Sequence, residues 1–164
     1  GLHAALNYCS EGDVLVVSNE GDSSTRSLMG EIMMAYLMCT KKIAGIVLDG
    51  PIRDIDEIGT WDFPVYCTGT TPGGPYKEGP AELNVPISCG EISVNPGDVV
   101  VADPDGVIVI PRRDAPAVLE AAKKFMAQDS AKLEPAKNGT MNRAWVEKTL
   151  LEKGFDIIDE GYEN

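Results

Sequence analysis

With 164 residues, 43% of them hydrophobic and 24% charged, the chain has the size and balance of one globular domain over 1–164 with a sizeable core. A formal net charge of −12 argues against nucleic acid, whose phosphates reward clustered Lys and Arg, and no apolar run is long enough for a bilayer. There is no signal-peptide pattern and no CxxC pair: Cys9, Cys39, Cys67 and Cys89 stand far apart, as in a reduced, cytoplasmic protein without a zinc site.

The opening Leu2-His3-Ala4-Ala5-Leu6 reads as part of a helix ending over 3–9. No capping residue precedes it, as expected of a shortened N-terminus or a tag scar. Glu11-Gly12 turns the chain into a strand over 13–18, and the polar 19–25 is a loop. Thr25 or Ser27 is placed to cap a helix over 28–40. Met29, Met33, Met34 and Met38 stripe that helix, which is apolar nearly all round and so belongs in the core or a subunit contact. Residues 43–48 form a buried strand, completing a strand–helix–strand unit that is most simply parallel with a right-handed crossover.

A short strand is expected over 63–67. The segment 69–80 holds four glycines and three prolines and is a long irregular loop, in which Gly73-Gly74 reads as turn geometry. Short strands follow over 85–89, 91–94, 99–102 and 107–110. Asn95-Pro96-Gly97-Asp98 and Asp103-Pro104-Asp105-Gly106 are the hairpin turns among them. An amphipathic helix over 114–129 and a second over 142–153, stopped by Gly154, end the chain.

His3 is the one histidine, so a Ser-His or Cys-His catalytic pair would depend on it alone. Any metal site must then be built from carboxylates and water, which suits Mg²⁺ or Mn²⁺. No strand leads into GxGxxG and there is no Walker A sequence, which weighs against redox, methyltransferase and kinase chemistry. What remains is Asp49-Gly50-Pro51-Ile52-Arg53-Asp54-Ile55-Asp56-Glu57, directly behind a buried strand, where α/β folds hold ligands. An arginine fork recognises a carboxylate, and the neighbouring Asp offers hard oxygens to a divalent cation. Together they describe a place for a small anionic, metal-chelating molecule such as a 2-oxo acid. The same nine residues also read as a turn followed by a solvated Arg53–Glu57 i,i+4 ion pair, and alone they leave both readings open.

Three stretches, Gly30-Glu31-Ile32-Met33, residues 45–57 and residues 95–111, together resemble one family. It unites class II 4-hydroxy-4-methyl-2-oxoglutarate/4-carboxy-4-hydroxy-2-oxoadipate aldolases with the RraA regulator of RNase E. The resemblance runs over most of the chain. It implies an α/β fold of the RraA-like, layered β/β/α (swivelling-domain) type, with a parallel strand–helix–strand unit and C-terminal hairpins and helices. It also implies a homotrimer or homohexamer with active sites between subunits. The family's motif is a glycine, a spacer and Arg-Asp-x-x-Glu/Asp. Arg53, Asp54 and Glu57 match its second part and Gly30 its first. The 22 residues between Gly30 and Arg53 slightly exceed the family spacing, as a small insertion around 39–42 would produce.

The roles implied by the resemblance follow residue by residue. Asp54 holds Mg²⁺ or Mn²⁺, and Arg53 binds the keto oxygen or carboxylate and stabilises the enolate left by carbon–carbon cleavage. Backbone N–H groups of Glu31, Ile32 and Met33, behind Gly30, hold the substrate carboxylate. Glu31 and Glu57 orient metal-bound waters. Asp129 stands where the family offers a Glu from the neighbouring subunit, one methylene shorter. Glu57 and Asn142-Arg143-Ala144-Trp145-Val146 resemble the aldolase branch more than the regulator. The expected function is thus a divalent-metal-dependent lyase, cleaving a 4-hydroxy-2-oxo diacid to pyruvate and a second oxo acid and decarboxylating oxaloacetate. The rival is a non-catalytic, RraA-like regulator of RNase E activity that binds a protein partner.

Overall fold

The computed structural model describes residues 1–20, 25–158 and 161. The chain divides into two compact units, Gly1–Ala115 and Pro116–Asn164. In the first, α1 (Leu2–Tyr8) buries Ala5 and Leu6 and leads to β1 (Val14–Val17). β2 (Gly45–Leu48) pairs with β1 in parallel, Val14 opposite Gly45 and Val17 opposite Leu48. The expected parallel unit is therefore present. β3 (Pro51–Ile52), α3 (Ile55–Ile58) and β4 (Val65–Tyr66) follow, and β4 adds to the far side of β2, again in parallel.

The core forms where the central strand and the crossover helix meet. Ile46, Leu48, Met34, Leu37, Ile43, Ile58, Leu6, Met29 and Ile52 make one buried cluster. Burying a side chain of this size contributes roughly 1.5–3 kcal/mol, which is why 43–48 reads as a continuous apolar run rather than an alternating one.

The crossover helix departs from its sequence reading at both ends. Helix α2 starts at Glu31 and spans Glu31–Ala35. Neither Thr25 nor Ser27 caps it, because the helix starts later and the backbone from Ser27 to Met29 is engaged elsewhere. Ser27 N donates to Gly73 O at 2.8 Å and Leu28 N to Pro51 O at 2.8 Å, and Met29 bridges Ile52 in parallel. From Tyr36 to Lys41 the helix widens into π geometry and closes at Lys42 in the left-handed region, φ 54°. A π turn is a wider helical turn with i→i+5 hydrogen bonds.

The loop over 69–80 is partly ordered: β5 (Gly69–Thr70) pairs with β3 in parallel. In the β-rich half, β6 (Ile87–Cys89) and β7 (Ile92–Val94) form one hairpin and β8 (Val99–Asp103) and β9 (Gly106–Ile110) another. The first turns at Gly90-Glu91, both at positive φ (55° and 65°), as a two-residue turn between twisted strands requires. Asn95–Asp98 is a turn, with Asp98 N on Asn95 O at 3.1 Å, but not a hairpin: it carries the chain from one two-stranded sheet to the next.

In the second unit, α4 runs Ala115–Lys137, 23 residues, well past the expected end at 129. The polar stretch after 129 lacks a breaker until Pro135 in the last turn, and Lys132–Asp129 and Lys137–Glu134 pair at i,i+3. α5 spans Trp145–Glu152, with Ala144 N on Asn142 Oδ1 at 3.0 Å ahead of it and Gly154 at φ 77° behind it. Neither helix buries a residue. Among the described residues, no helix is long and apolar enough to cross a membrane.

Candidate active site

Parallel pairing of Met29 with Ile52 makes the next residue of each segment, Gly30 and Arg53, leave the pair side by side. Arg53 N donates to Met29 O at 3.1 Å and fixes that register. The consequence is a steric demand at Gly30. A Cβ built there would lie 2.6 Å from Asp54 Oδ2, 2.7 Å from Arg53 Nε and 2.9 Å from Arg53 Cγ. Gly30 is itself extended, at φ −141°, so any residue could adopt its backbone. Space alone requires glycine here.

Asp54 turns the chain sharply at φ 63°, ψ 37°, a left-handed conformation that Asp tolerates better than most residues. The turn aims its carboxylate at the start of α2, where Glu31 N donates to Oδ2 at 3.1 Å. A carboxylate from 23 positions away thereby supplies the cap that Gly30 lacks. Arg53 Nε lies 3.3 Å from the same oxygen. It is in ion-pair range yet makes no hydrogen bond, although the atom is buried. Since the Arg53 side chain is 40% exposed, the accessible part of the guanidinium lies beyond Nε. Both Asp54 contacts fall on Oδ2, leaving Oδ1 to a ligand.

The loop after β4 closes the other side. Thr71 Oγ1 donates to Thr25 O at 2.7 Å, and Gly73 N donates to Thr71 Oγ1 at 3.2 Å. A Cβ on Gly73 would strike Thr25 O, and one on Gly74 would lie 3.3 Å from Arg53 Nη1. Neither glycine has positive φ. They are small because backbone and guanidinium approach them closely, not because of the turn geometry expected. Arg26 Nη1 donates to Gly74 O at 3.2 Å, with its guanidinium 5.2 Å from the centre of the Tyr76 ring.

The structure thus brings Gly30, Glu31, Arg53 and Asp54 together. Ile32 is 81% exposed and Met33 partly buried on the same first turn. The i,i+4 ion pair is not formed: Arg53 pairs with Asp54, and Glu57 Oε1 accepts from Trp61 Nε1 at 3.4 Å. Asp129 lies in the second unit, paired with Lys132 at 3.6 Å. Sequence reading missed the Met29–Ile52 pairing and the Thr25–Thr71–Gly73 tie. The glycines at 30, 73 and 74 were the available signal for both.

His3 is exposed on α1, and among the described residues no three His, Cys, Asp or Glu side chains converge on one point. Mg²⁺ and Mn²⁺ ask for only one or two protein carboxylates, with water and substrate oxygens completing the octahedron, and Asp54 is a residue that could serve as one. An apolar cavity of about 200 Å³ lies elsewhere, among Val16, Val47, Tyr66, Cys89, Val100 and Val109. Burial, and then the nearby Asp49 carboxylate, push the Cys89 thiol up.

Fold and site together define an α/β protein with an arginine–aspartate corner beside a parallel sheet. The chain belongs to the RraA-like family (Aldolase/RraA), whose model matches residues 1–109. It is 42% identical over 147 residues to a protein of Halalkalibacterium halodurans named "Putative 4-hydroxy-4-methyl-2-oxoglutarate aldolase", covering 89% of this chain and 69% of that one. A protein of the same name from Ectopseudomonas mendocina is 40% identical over 102 residues, 62% of each chain. Among solved structures, Streptomyces coelicolor RraAS2, described as an unusual member of the RNase ES inhibitor RraA family, superposes with a TM-score of 0.73. Its identity is 36%, over 79% of this chain and 65% of that one. The RNA-processing inhibitor RraA from Thermus gives a TM-score of 0.58 at 31% identity, over 66% of each chain. The RraA-like α/β fold is therefore as expected, and the chain spans about two thirds of the length of these relatives.

Proposed function

We propose that the protein is a divalent-metal-dependent lyase that cleaves a 4-hydroxy-2-oxo diacid to pyruvate and a second oxo acid. The observation that supports this reading is the close approach of Arg53 and Asp54 to Gly30, which sets a guanidinium and a carboxylate beside the first turn of α2. Mg²⁺ or Mn²⁺, when bound, supplies Lewis-acid polarisation of the substrate's carboxylate and keto oxygens.

The chain's own groups do the rest. Asp54 would hold the ion, with one carboxylate oxygen accepting from Glu31 N. The guanidinium of Arg53, beyond its buried Nε, donates to the 2-keto oxygen. As the 4-hydroxyl loses its proton and the C3–C4 bond breaks, the electron pair moves onto that oxygen, and Arg53 faces the growing charge. The N–H groups of Ile32 and Met33 receive the C1 carboxylate. Glu31 and Glu57 orient the water that removes the hydroxyl proton and returns one to C3. Loss of CO₂ from oxaloacetate leaves the same three-carbon enolate, so decarboxylation belongs to the same corner. Assembly as a trimer or hexamer would cover Leu119, Phe125, Met126 and Leu133, all exposed on α4, and would allow the partner subunit's Asp129 to join the site.

The solved relatives named for RNase inhibition favour a second reading, a non-catalytic regulator acting on a protein partner. Pyruvate release from oxaloacetate with Mg²⁺ separates the two. The lyase reading expects release that stops with EDTA and resumes with added metal. Protein that releases nothing with any divalent ion belongs to the second reading.

A further inference from the structure

Asp54 attracts the Arg53 guanidinium without orienting it. Arg53 Nε lies 3.3 Å from Asp54 Oδ2, yet the atom is buried without a hydrogen bond among the described residues. No directed bond at Nε therefore sets the plane of the fork. Two glycines bound it instead. A Cβ on Gly30 would fall 2.7 Å from Nε, and one on Gly74 would fall 3.3 Å from Nη1. Gly30 follows directly on the Met29–Ile52 bridge, which fixes its backbone. Gly74 lies in the loop after β5, so whatever places that loop also places the Nη1 edge of Arg53.

Thr71 is the residue that does so. Its N–H donates to Ile52 O at 2.9 Å, one residue before Arg53, which ties it to the segment carrying the guanidinium. A hydroxyl has one proton to give and lone pairs to accept with. Thr71 uses both capacities within the loop: Oγ1 donates to Thr25 O at 2.7 Å and accepts from Gly73 N at 3.2 Å. One side chain thus joins the backbones of Thr25 and Gly73. The bond from Ser27 N to Gly73 O at 2.8 Å lies alongside, and a Cβ on Gly73 would strike Thr25 O, so the two backbones are in contact here. Arg26 Nη1 also reaches Gly74 O, at 3.2 Å, from the end of a long and exposed side chain. With its proton given to Thr25, the Thr71 hydroxyl has none to offer a substrate, and any effect it has on the chemistry runs through Arg53.

We infer that Thr71 is a positioning residue: its hydroxyl holds the loop at Gly73-Gly74 against Arg53 and so aims the guanidinium at the substrate's keto oxygen. The inference rests on the lyase reading for what Arg53 is aimed at. Its test reads Arg53 itself, so the two can fail separately.

The chain has five arginines, few enough for their Nε–H signals to be resolved by NMR of the full chain uniformly labelled on nitrogen. The Arg53 signal is assigned by its loss in Arg53→Lys, and a buried Nε–H exchanges slowly enough with water to be seen. Thr71→Val keeps the branched shape and removes the hydroxyl. It should shift or broaden the Arg53 signal while the backbone amides of Ile46 and Leu48 stay in place. Thr71→Ser keeps the hydroxyl and should restore the wild-type signal. Turnover should follow the same order, falling about tenfold in Thr71→Val and recovering in Thr71→Ser.

An Arg53 signal that ignores Thr71→Val overturns the inference, as does one missing from the wild-type spectrum, since the guanidinium is then not held. A signal that moves together with the core amides also overturns it, because Thr71 is then a general support of the fold. So does one that Thr71→Ser disturbs as much as Thr71→Val, which makes methyl packing the cause. An active wild-type chain whose turnover Thr71→Val leaves unaltered counts against it equally. A chain in which Arg53 follows Thr71 as expected, yet releases no pyruvate from any 4-hydroxy-2-oxo acid, keeps the positioning of Arg53 and loses the lyase reading.

Discussion

The two units of this chain obey different rules. In Gly1–Ala115 the sheet and crossover helix enclose a core with Ile46, Leu37, Met34 and Met29 fully buried, and the chemical corner hangs directly on that core through the Met29–Ile52 pair. In Pro116–Asn164 the helices bury nothing, and Phe125, Met126, Trp145 and Leu151 are each more than 60% exposed. The first unit specifies its geometry internally, down to a glycine. The second holds its helices through local pairs such as Lys123–Glu120 at 2.8 Å, which contribute only a few tenths of a kcal/mol each. Among the described residues, a precisely placed corner comes from long-range packing, which the first unit has and the helices of the second lack.

Substitutions can break this contrast. Ile46→Ala removes a fully buried side chain from the central strand and should cost about 2–5 kcal/mol in denaturant unfolding. A loss under 1 kcal/mol would mean the core is not where the contacts place it. Gly30→Ala should lower turnover by about 100-fold or more, because its Cβ displaces both Arg53 and Asp54 and sub-ångström misplacement is costly. Its melting temperature should move far less than that of Ile46→Ala. Full activity in Gly30→Ala would refute the close approach.

Leu133→Ala on α4 is the counterpart in the second unit. In the isolated chain it should shift stability by no more than about 0.5 kcal/mol. A larger shift that grows with protein concentration would show that the exposed face is covered by other copies.

The smallest effect is on acid stability. Backbone N–H groups of Asn95 and Arg112 bind the Asp98 carboxylate at 2.9 and 3.1 Å and lower its pKa from the ordinary 3.8. A depressed folded-state pKa stabilises the protein above the unfolded value, and the benefit is lost as pH falls through the folded one. Unfolding of Asp98→Asn should therefore depend less steeply on pH below about 4, with little change near neutrality. An unchanged acid slope would show that these bonds are absent in solution.

Much of this was legible in the sequence, and the gaps have a common cause. The parallel unit, the short β-rich second half and the Arg53–Asp54 corner follow from apolar runs, Pro/Gly punctuation and a family resemblance. What the sequence reading got wrong was set by partners distant in the chain. Ser27 and Thr25 look like helix caps by local chemistry, but the cap is Asp54, presented from a left-handed turn after β3. The helical Arg53–Glu57 ion pair, one of two readings the nine residues alone leave open, is not formed because α3 begins only at Ile55. Local propensity carried α4 only to 129, because the sequence has no means of weighing a proline in a last turn. The glycines at 73 and 74 were visible as glycines, but their reason, a carbonyl and a guanidinium alongside, is tertiary.

The most direct test measures pyruvate released from 4-hydroxy-4-methyl-2-oxoglutarate by the wild-type chain, Arg53→Ala and Asp54→Asn, with Mg²⁺ and with EDTA. Asn keeps both the left-handed turn and a side-chain oxygen for Glu31 N, so Asp54→Asn removes charge with little disturbance of the fold. The account predicts release that requires the metal and falls by about 100-fold or more in each variant. Metal-independent release, or an Arg53→Ala variant as fast as the wild type, would contradict it.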